Sequence, residues 1–248
     1  KGIFILKNPN TNEINNPELE PKLCEFLLER GVAVSQFVKN RHGSYITLVE
    51  GEIYHLQRFI EGRNFGLNEA PAWLMEESAK TLGRIHQELK SYELLPEGIG
   101  TGFFKHMTPE RVKGSYKASL EIAKQNGESN IIQGLHRRIE LLEDFKDFQI
   151  DFQEISCGNT HGDYFISQII AGDREIAGVI DWTTACVHPY VWEVIRSFVY
   201  GEPECREGQI PIGKFLSYVQ SYIQYNSLTA KDLELMPELF YYQLAVCD

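Results

Sequence analysis

The chain reads as an α+β protein of two lobes, a small sheet-plus-helix lobe followed by a larger, mainly helical one. Three observations predict this. Short apolar runs around a single helix fill the chain up to residue 61. A Glu61-Gly62-Arg63 break follows. Beyond it helical periodicity prevails, interrupted by one tight hairpin that carries an acid at each end, Asp163 and Asp181. The expected division is residues 1–61 and residues 62–248.

The elements follow in order. Gly2-Ile3-Phe4-Ile5-Leu6-Lys7 predicts a buried strand ending in a lysine. Residues 8–16, rich in Asn, Pro and Thr, predict a loop. Asn16-Pro17 is a helix start, with a capping residue before a proline at the first helical position. Leu19, Leu23, Phe26 and Leu27 then recur at helical spacing until Gly31. Residues 32–38, 44–49 and 53–59 predict three more strands, the first two joined by a turn at Asn40-Arg41-His42-Gly43.

In the second lobe Met75, Ala79, Leu82, Ile85, His86 and Leu89 form one amphipathic face, and Ile132, Leu135, Ile139, Leu142 and Phe145 another. Residues 113–124 are mixed in charge and predict a solvated helix. The hairpin runs from His161-Gly162-Asp163 through Ile169-Ile170, a turn at residues 171–174, and Gly178-Val179-Ile180-Asp181-Trp182. Helical segments at 191–200, 215–225 and 233–244 complete the chain.

Bulk properties narrow the function classes. With 248 residues the chain can bury a substantial core. Its net charge of −11 argues against a surface built for nucleic acid or anionic membrane. The expected partner is a small molecule. Cys24, Cys157, Cys186, Cys205 and Cys247 are scattered without a C-x-x-C pair, which fits a reducing, cytoplasmic compartment rather than a zinc site or disulfide frame. No apolar run approaches the roughly 18–20 residues a membrane span needs. The chain opens at Lys1, inside a predicted strand, so preceding sequence is expected.

Lys7 ends an apolar strand, where its ammonium needs a partner unless the strand end is exposed. Glu20, one turn into the next helix, is the best-placed carboxylate, with Glu18 and Glu25 as alternatives. Asp163 lies in a polar loop before a buried strand, where a carboxylate can accept a proton from an alcohol. Asp181 follows Val179-Ile180 and should emerge from a strand end toward a cleft, where it can hold a divalent cation. Either acid alone could be an ordinary turn or capping residue. His161, two residues before Asp163, is a candidate general base, and a histidine so placed can instead hold the loop by hydrogen bonds. Trp182, Tyr190 and Trp192 could line a pocket for a cationic amine, with helix packing as the plainer explanation. Glu193 and Arg196, three apart on one helix, can pair locally.

These motifs resemble those of the aminoglycoside phosphotransferase and choline kinase-like superfamily, small-molecule kinases with a protein-kinase-like fold. Ile5-Leu6-Lys7 is similar to the strand carrying the ATP lysine, with Glu20 at its pairing glutamate. Tyr54 to Gly62 resembles the hinge that receives adenine, and Leu82-Gly83-Arg84-Ile85-His86 resembles a helix motif of the family. His161-Gly162-Asp163 and Ile180-Asp181-Trp182 resemble its catalytic and metal motifs, and these two are the specific ones. Asp181-Trp182-Thr183-Thr184-Ala185-Cys186 and Trp192-Glu193-Val194-Ile195-Arg196 look most like bacterial members of the superfamily near its homoserine-kinase-like and spore-coat-kinase-like branches.

The resemblance implies ATP and Mg2+ as cofactors and transfer of the γ-phosphate to a hydroxyl of an aminoglycoside-, choline- or homoserine-like acceptor. It implies Asp163 as the catalytic acid–base group with His161 beside it. It implies Lys7 and Glu20, with the Phe59-Ile60-Glu61 backbone, as the nucleotide site, and Gln168 with Asp181 as metal ligands. The sequence departs from the family at Gln168, where Asn is usual; the extra methylene shifts the amide's reach by about 1.5 Å. The family's glycine-rich phosphate loop precedes the Lys7 strand and lies outside the chain. The alternative reading is a catalytically weak pseudokinase or a nucleotide-binding structural protein.

Overall fold

A computed structural model describes residues 2–9, 16–96 and 107–246. The first lobe carries strand β1 (Phe4–Lys7), helix α1 (Leu19–Glu29), β2 (Thr47–Val49) and β3 (Glu52–Arg58). The strands form an antiparallel sheet in the order β1-β3-β2, with Lys7 opposite His55. Helix α1 begins two residues after the expected Asn16-Pro17 start. The Asn16 side chain caps the turn that precedes it, accepting the Glu18 N–H at 3.1 Å. Strand β1 forms as expected but is not buried. It is an edge strand, and Ile3, Phe4, Ile5 and Leu6 remain 42–67 % exposed. Most of the predicted loop at residues 8–16 lies outside the described residues.

Residues 32–38 do not form the expected strand. The run is extended, and its hydrogen bonds alternate between two partners rather than following one. Ser35 N–H donates to Val179 and Val179 N–H to Ala33, whereas Val38 N–H donates to Leu56 and Arg58 N–H to Gln36. Isolated bridges result at Val34–Val179 and Phe37–Gln57. A β-favouring run is thus used as a staple between the first sheet and the acidic hairpin.

The second lobe contains α2 (Ala72–Leu89), α3 (Pro109–Asn126), α4 (Ser129–Asp144), β4 (Cys157–Thr160), β5 (Ile169–Ala171), β6 (Ile176–Val179), β7 (Cys186–Pro189), α5 (Tyr190–Gly201), α6 (Ile212–Tyr222) and α7 (Ala230–Val246). The acidic hairpin is β5–β6, antiparallel with Ile169 opposite Val179. A second antiparallel pair, β4–β7, encloses it in sequence. Helix α2 buries Leu74, Met75, Ala79, Leu82, Ile85, His86 and Leu89, the expected face. Helix α3 presents a mixed-charge surface but seats Val112, Tyr116, Leu120 and Ala123 inward. The core runs from Leu23 and Leu27 of α1 through Leu82 and Ile85 of α2 to Val191, Val194 and Phe198 of α5. No helix among the described residues is long and apolar enough to cross a membrane.

The segment after β3 is tied to the hairpin. Arg63 and Ala171 exchange both backbone hydrogen bonds at 2.8 Å, and the Asn64 side chain donates to the carbonyls of Ser167 and Ile169. This close approach requires glycine at 62, where φ is +154° and an added Cβ would lie 2.6 Å from the Ala171 carbonyl oxygen. Gly62→Ala should therefore loosen this junction and cost about 1–3 kcal/mol. Urea unfolding measures it, and an unchanged midpoint would contradict the packing described.

Candidate active site

Lys7 is the meeting point of three distant segments. Its ammonium lies 3.1 Å from both carboxylate oxygens of Glu20 and 3.0 Å from Oδ1 of Asp181. Glu20 is buried in the first turn of α1, and its Oε1 also accepts the backbone N–H of Trp182 at 3.1 Å. Burial alone would push the lysine toward neutrality. The flanking carboxylates outweigh it and hold the pKa above its ordinary value, so the ammonium stays charged. Glu18, one of the alternatives, pairs with Lys22 instead, and Glu25 pairs with Lys39.

Asp181 sits just past β6 with φ +61° and ψ +65°, a left-handed conformation uncommon for a residue with a side chain. Its carboxylate is half-exposed and also accepts the Thr183 hydroxyl at 3.0 Å. Burial pushes its pKa up, but the hydrogen bond and charge of Lys7, with Thr183, hold it below the ordinary value. The Ile180 N–H donates to the Gln168 carbonyl at 2.9 Å, so the hairpin register sets Gln168 beside the Asp181 strand end. A carboxylate such as that of Asp181 and an amide oxygen such as that of Gln168 are hard donors of the kind a divalent cation takes. Among the described residues no group of three or more His, Cys, Asp or Glu side chains is assembled to hold a metal.

His161 is wholly buried. Its Nε2 donates to the Ile180 carbonyl at 2.9 Å, and its Nδ1 accepts the Asp163 N–H at 3.2 Å. Both ring nitrogens are engaged, which matches the alternative in which His161 holds the loop by hydrogen bonds, here as a strut joining the Asp163 loop to the Asp181 strand end. Asp163 keeps 37 % of its side chain exposed. Burial raises its pKa above the ordinary value, and the charge of Arg196 is the largest opposing influence. Arg196 Nη2 lies 3.4 Å from Asp163 Oδ1.

The expected local pair of Glu193 with Arg196 does not form. Glu193 is fully buried, accepting from His86 Nε2 at 2.8 Å and from the N–H groups of His161 and Tyr164, each at 3.3 Å. The far side of the His86 ring meets the Tyr222 hydroxyl at 2.7 Å, which in turn accepts from Asn226. Burial works against the Glu193 charge, but the His86 hydrogen bond and neighbouring positive potential hold its pKa down at about 2. The available signal was a carboxylate inside the apolar run Val191-Trp192-Glu193-Val194-Ile195, which must find partners. Trp182, Tyr190 and Trp192 are buried in packing roles; Trp192 stacks on His188 at 4.4 Å.

In the segment expected to receive adenine, the Phe59 N–H already donates to the Ile3 carbonyl at 3.0 Å. The Ile60 and Glu61 backbone makes no hydrogen bond among the described residues. The Ile60 side chain rests against Gly178 of the hairpin, where an added Cβ would meet it at 2.5 Å. The structure therefore brings Lys7, Glu20 and Asp181 into contact, ties the Gln168 backbone carbonyl to the residue before Asp181, and joins the Asp163 loop to the same strand end through His161.

The fold is a two-lobed, protein-kinase-like architecture. The chain belongs to the phosphotransferase enzyme family, whose sequence profile matches residues 2–211. It is similar to a homoserine kinase of Beijerinckia indica subsp. indica, 24 % identical over 220 residues, covering 88 % of this chain and 63 % of that protein. The chain thus spans less than two thirds of that relative's length. Among solved structures, an amicoumacin kinase in complex with AMP-PNP, Ca2+ and Ami aligns over 98 % of this chain and 72 % of its own, at 16 % identity and a TM-score of 0.65. The AMP-bound complex of a spectinomycin phosphotransferase aligns over 98 % and 75 %, at 13 % identity and the same TM-score of 0.65. An aminoglycoside phosphotransferase from Alicyclobacillus acidocaldarius matches equally, covering 98 % of this chain and 74 % of its own at 16 % identity and 0.65. At these identities the likeness establishes the fold.

The buried carboxylate behind the Asp163 loop gives a pH prediction. The folded pKa of Glu193 lies below its ordinary 4.5, so its stabilisation is present above that pH and drains away as pH falls toward about 2. Glu193→Gln should unfold more easily at neutral pH yet lose less stability on acidification. Denaturant midpoints across that range test it; parallel acid profiles for the two proteins would contradict it.

Proposed function

We propose that the chain transfers the γ-phosphate of ATP to a hydroxyl of a small molecule. The observation that supports this most is the Lys7 ammonium held between Glu20 and Asp181, with Asp163 poised at the other end of the His161 strut. In this reading residues 1–61 form the nucleotide-binding lobe and residues 62–248 the catalytic and acceptor-binding lobe. Lys7 binds the α- and β-phosphates and Glu20 fixes its direction. The Ile60 and Glu61 backbone meets adenine. Gln168 and Asp181 would hold Mg2+, which would neutralise charge on the phosphate oxygens.

Asp163 orients the acceptor hydroxyl and takes its proton. The acceptor oxygen forms a bond to the γ-phosphorus while the bond from that phosphorus to the β,γ-bridging oxygen breaks. ADP leaves with that oxygen and the electron pair, and the proton on Asp163 passes to water. Positioning and charge stabilisation are what such transfers require of a protein. The acceptor class is homoserine-, choline- or aminoglycoside-like, and the compartment is the cytoplasm, on four free cysteines among the described residues.

Asp163→Ala should lower substrate-dependent ADP release by about 10²–10⁴-fold while leaving nucleotide binding intact. Asp181→Asn should abolish the divalent-cation dependence along with turnover. Steady-state assays with Mg·ATP and a panel of amino alcohols, hydroxy amino acids and aminoglycosides check both. Undiminished turnover in Asp163→Ala would sink the mechanism. Nucleotide binding without any transfer would support the pseudokinase reading, for which Gln168 in place of the family's Asn is the motivating feature.

A further inference from the structure

We propose that Arg196 is a positioning residue for phosphoryl transfer, holding the Asp163 carboxylate in one orientation and ionised while the acceptor hydroxyl binds. The inference rests on the reading of Asp163 as the proton acceptor. Arg196 lies on α5, and only 11 % of its side chain is exposed. Its guanidinium carbon sits 3.9 Å from the centre of the Trp192 ring and 4.4 Å from that of Phe165. Trp192 is one helical turn earlier on α5 and is itself stacked on His188 with an interplanar angle of 15°. Phe165 stands two residues after Asp163, on the loop being positioned, and packs edge-on against Tyr200 at 5.1 Å. The planar cation is thus slotted between an aromatic wall anchored in the helix and one belonging to the loop.

From that slot Nη2 reaches Asp163 Oδ1 at 3.4 Å. Asp163 remains 37 % exposed, so the contact fixes the group without closing it off from the cleft. The spacing on α5 would equally allow Arg196 to pair with Glu193. That carboxylate is instead committed to His86 and two backbone N–H groups, and the guanidinium contacts Asp163. A guanidinium suits this role better than an ammonium, because it stacks on aromatic faces while keeping its charge at any working pH.

Among the described residues, the charged and titratable groups acting most on Asp163 are Arg196 and Glu193 from α5 and His161 from its own loop. Burial opposes ionisation of Asp163; among these neighbours the Arg196 charge does most to restore it. Glu193 acts in the opposite sense. Losing the guanidinium therefore moves the carboxyl further toward its protonated form, in which it cannot accept the acceptor's proton.

The test compares the wild-type protein with Arg196→Gln, Arg196→Lys and Asp163→Ala. ADP release from Mg·ATP is followed from pH 5 to 9, with water and with L-homoserine as the offered acceptors. Arg196→Gln should lower kcat by about tenfold or more and leave the KM for ATP unchanged. It should also move the acid limb of the kcat profile up by about one pH unit. Arg196→Lys should keep the limb in place and recover only part of kcat, because an ammonium does not fill the aromatic slot. A purely structural arginine would instead give a uniform loss at every pH, matched by a lower unfolding midpoint, and that result overturns the proposal. So does an Arg196→Gln protein with wild-type kcat and acid limb while Asp163→Ala is dead. If Asp163→Ala keeps its turnover, the underlying assignment of Asp163 fails and this proposal with it.

Discussion

One ammonium with two carboxylates to satisfy sets the geometry on which the site depends. Lys7 comes from the end of β1, Glu20 from the first turn of α1 and Asp181 from the end of β6. A partly buried charge in this position is costly unless all three segments are brought into register. Glu20 adds a second tie by accepting the Trp182 N–H, so the helix and the acid-bearing turn dock as one piece. The extended run at residues 32–38 reinforces the same junction from the backbone, bonding alternately to β3 and β6. Positive φ at Asp181 belongs to this arrangement, because the chain must turn sharply there to present its carboxylate to Lys7.

A second buried charge organises the Asp163 loop from behind. Glu193 receives two of the loop's backbone N–H groups and the ring of His86, which is backed by Tyr222 and Asn226. His161 then spans from the loop to the Ile180 carbonyl. The two acids of the hairpin are therefore held by separate frameworks, one around Lys7 and one around Glu193, coupled through a single imidazole. This separation suits two different electrostatic states. Asp181 is kept below its ordinary pKa by a cation in contact, whereas burial leaves Asp163 above its own. A fixed anion beside phosphate and a carboxylate able to take up a proton are what phosphoryl transfer asks of the pair.

The parts of this plan that were legible in the sequence are the local ones. Asp163 and Asp181 flank a short hairpin whose register follows from two apolar runs and a turn, so their neighbourhood could be read directly. Lys7 with Glu20 needed only a strand end and the first turn of the next helix. What could not be read depends on partners far along the chain. Residues 32–38 carry strand-forming composition but divide their hydrogen bonds between two elements. Strands β4 and β7 pair across 26 residues, and Cys157-Gly158-Asn159-Thr160 has little strand character by itself. Arg196 looked like the helix partner of Glu193 because spacing of three favours it. Tertiary contacts gave each charge a different partner, and the role of His161 followed from which atoms its two nitrogens face.

Transfer of a phosphoryl group onto a hydroxyl by these residues is directly observable by 31P NMR. Incubating the protein with Mg·ATP and a mixture of small hydroxyl acceptors should produce a phosphomonoester resonance growing in step with ADP, as the γ-phosphate signal disappears. An unchanged γ-phosphate, or inorganic phosphate as the sole product with every acceptor offered, would contradict the account.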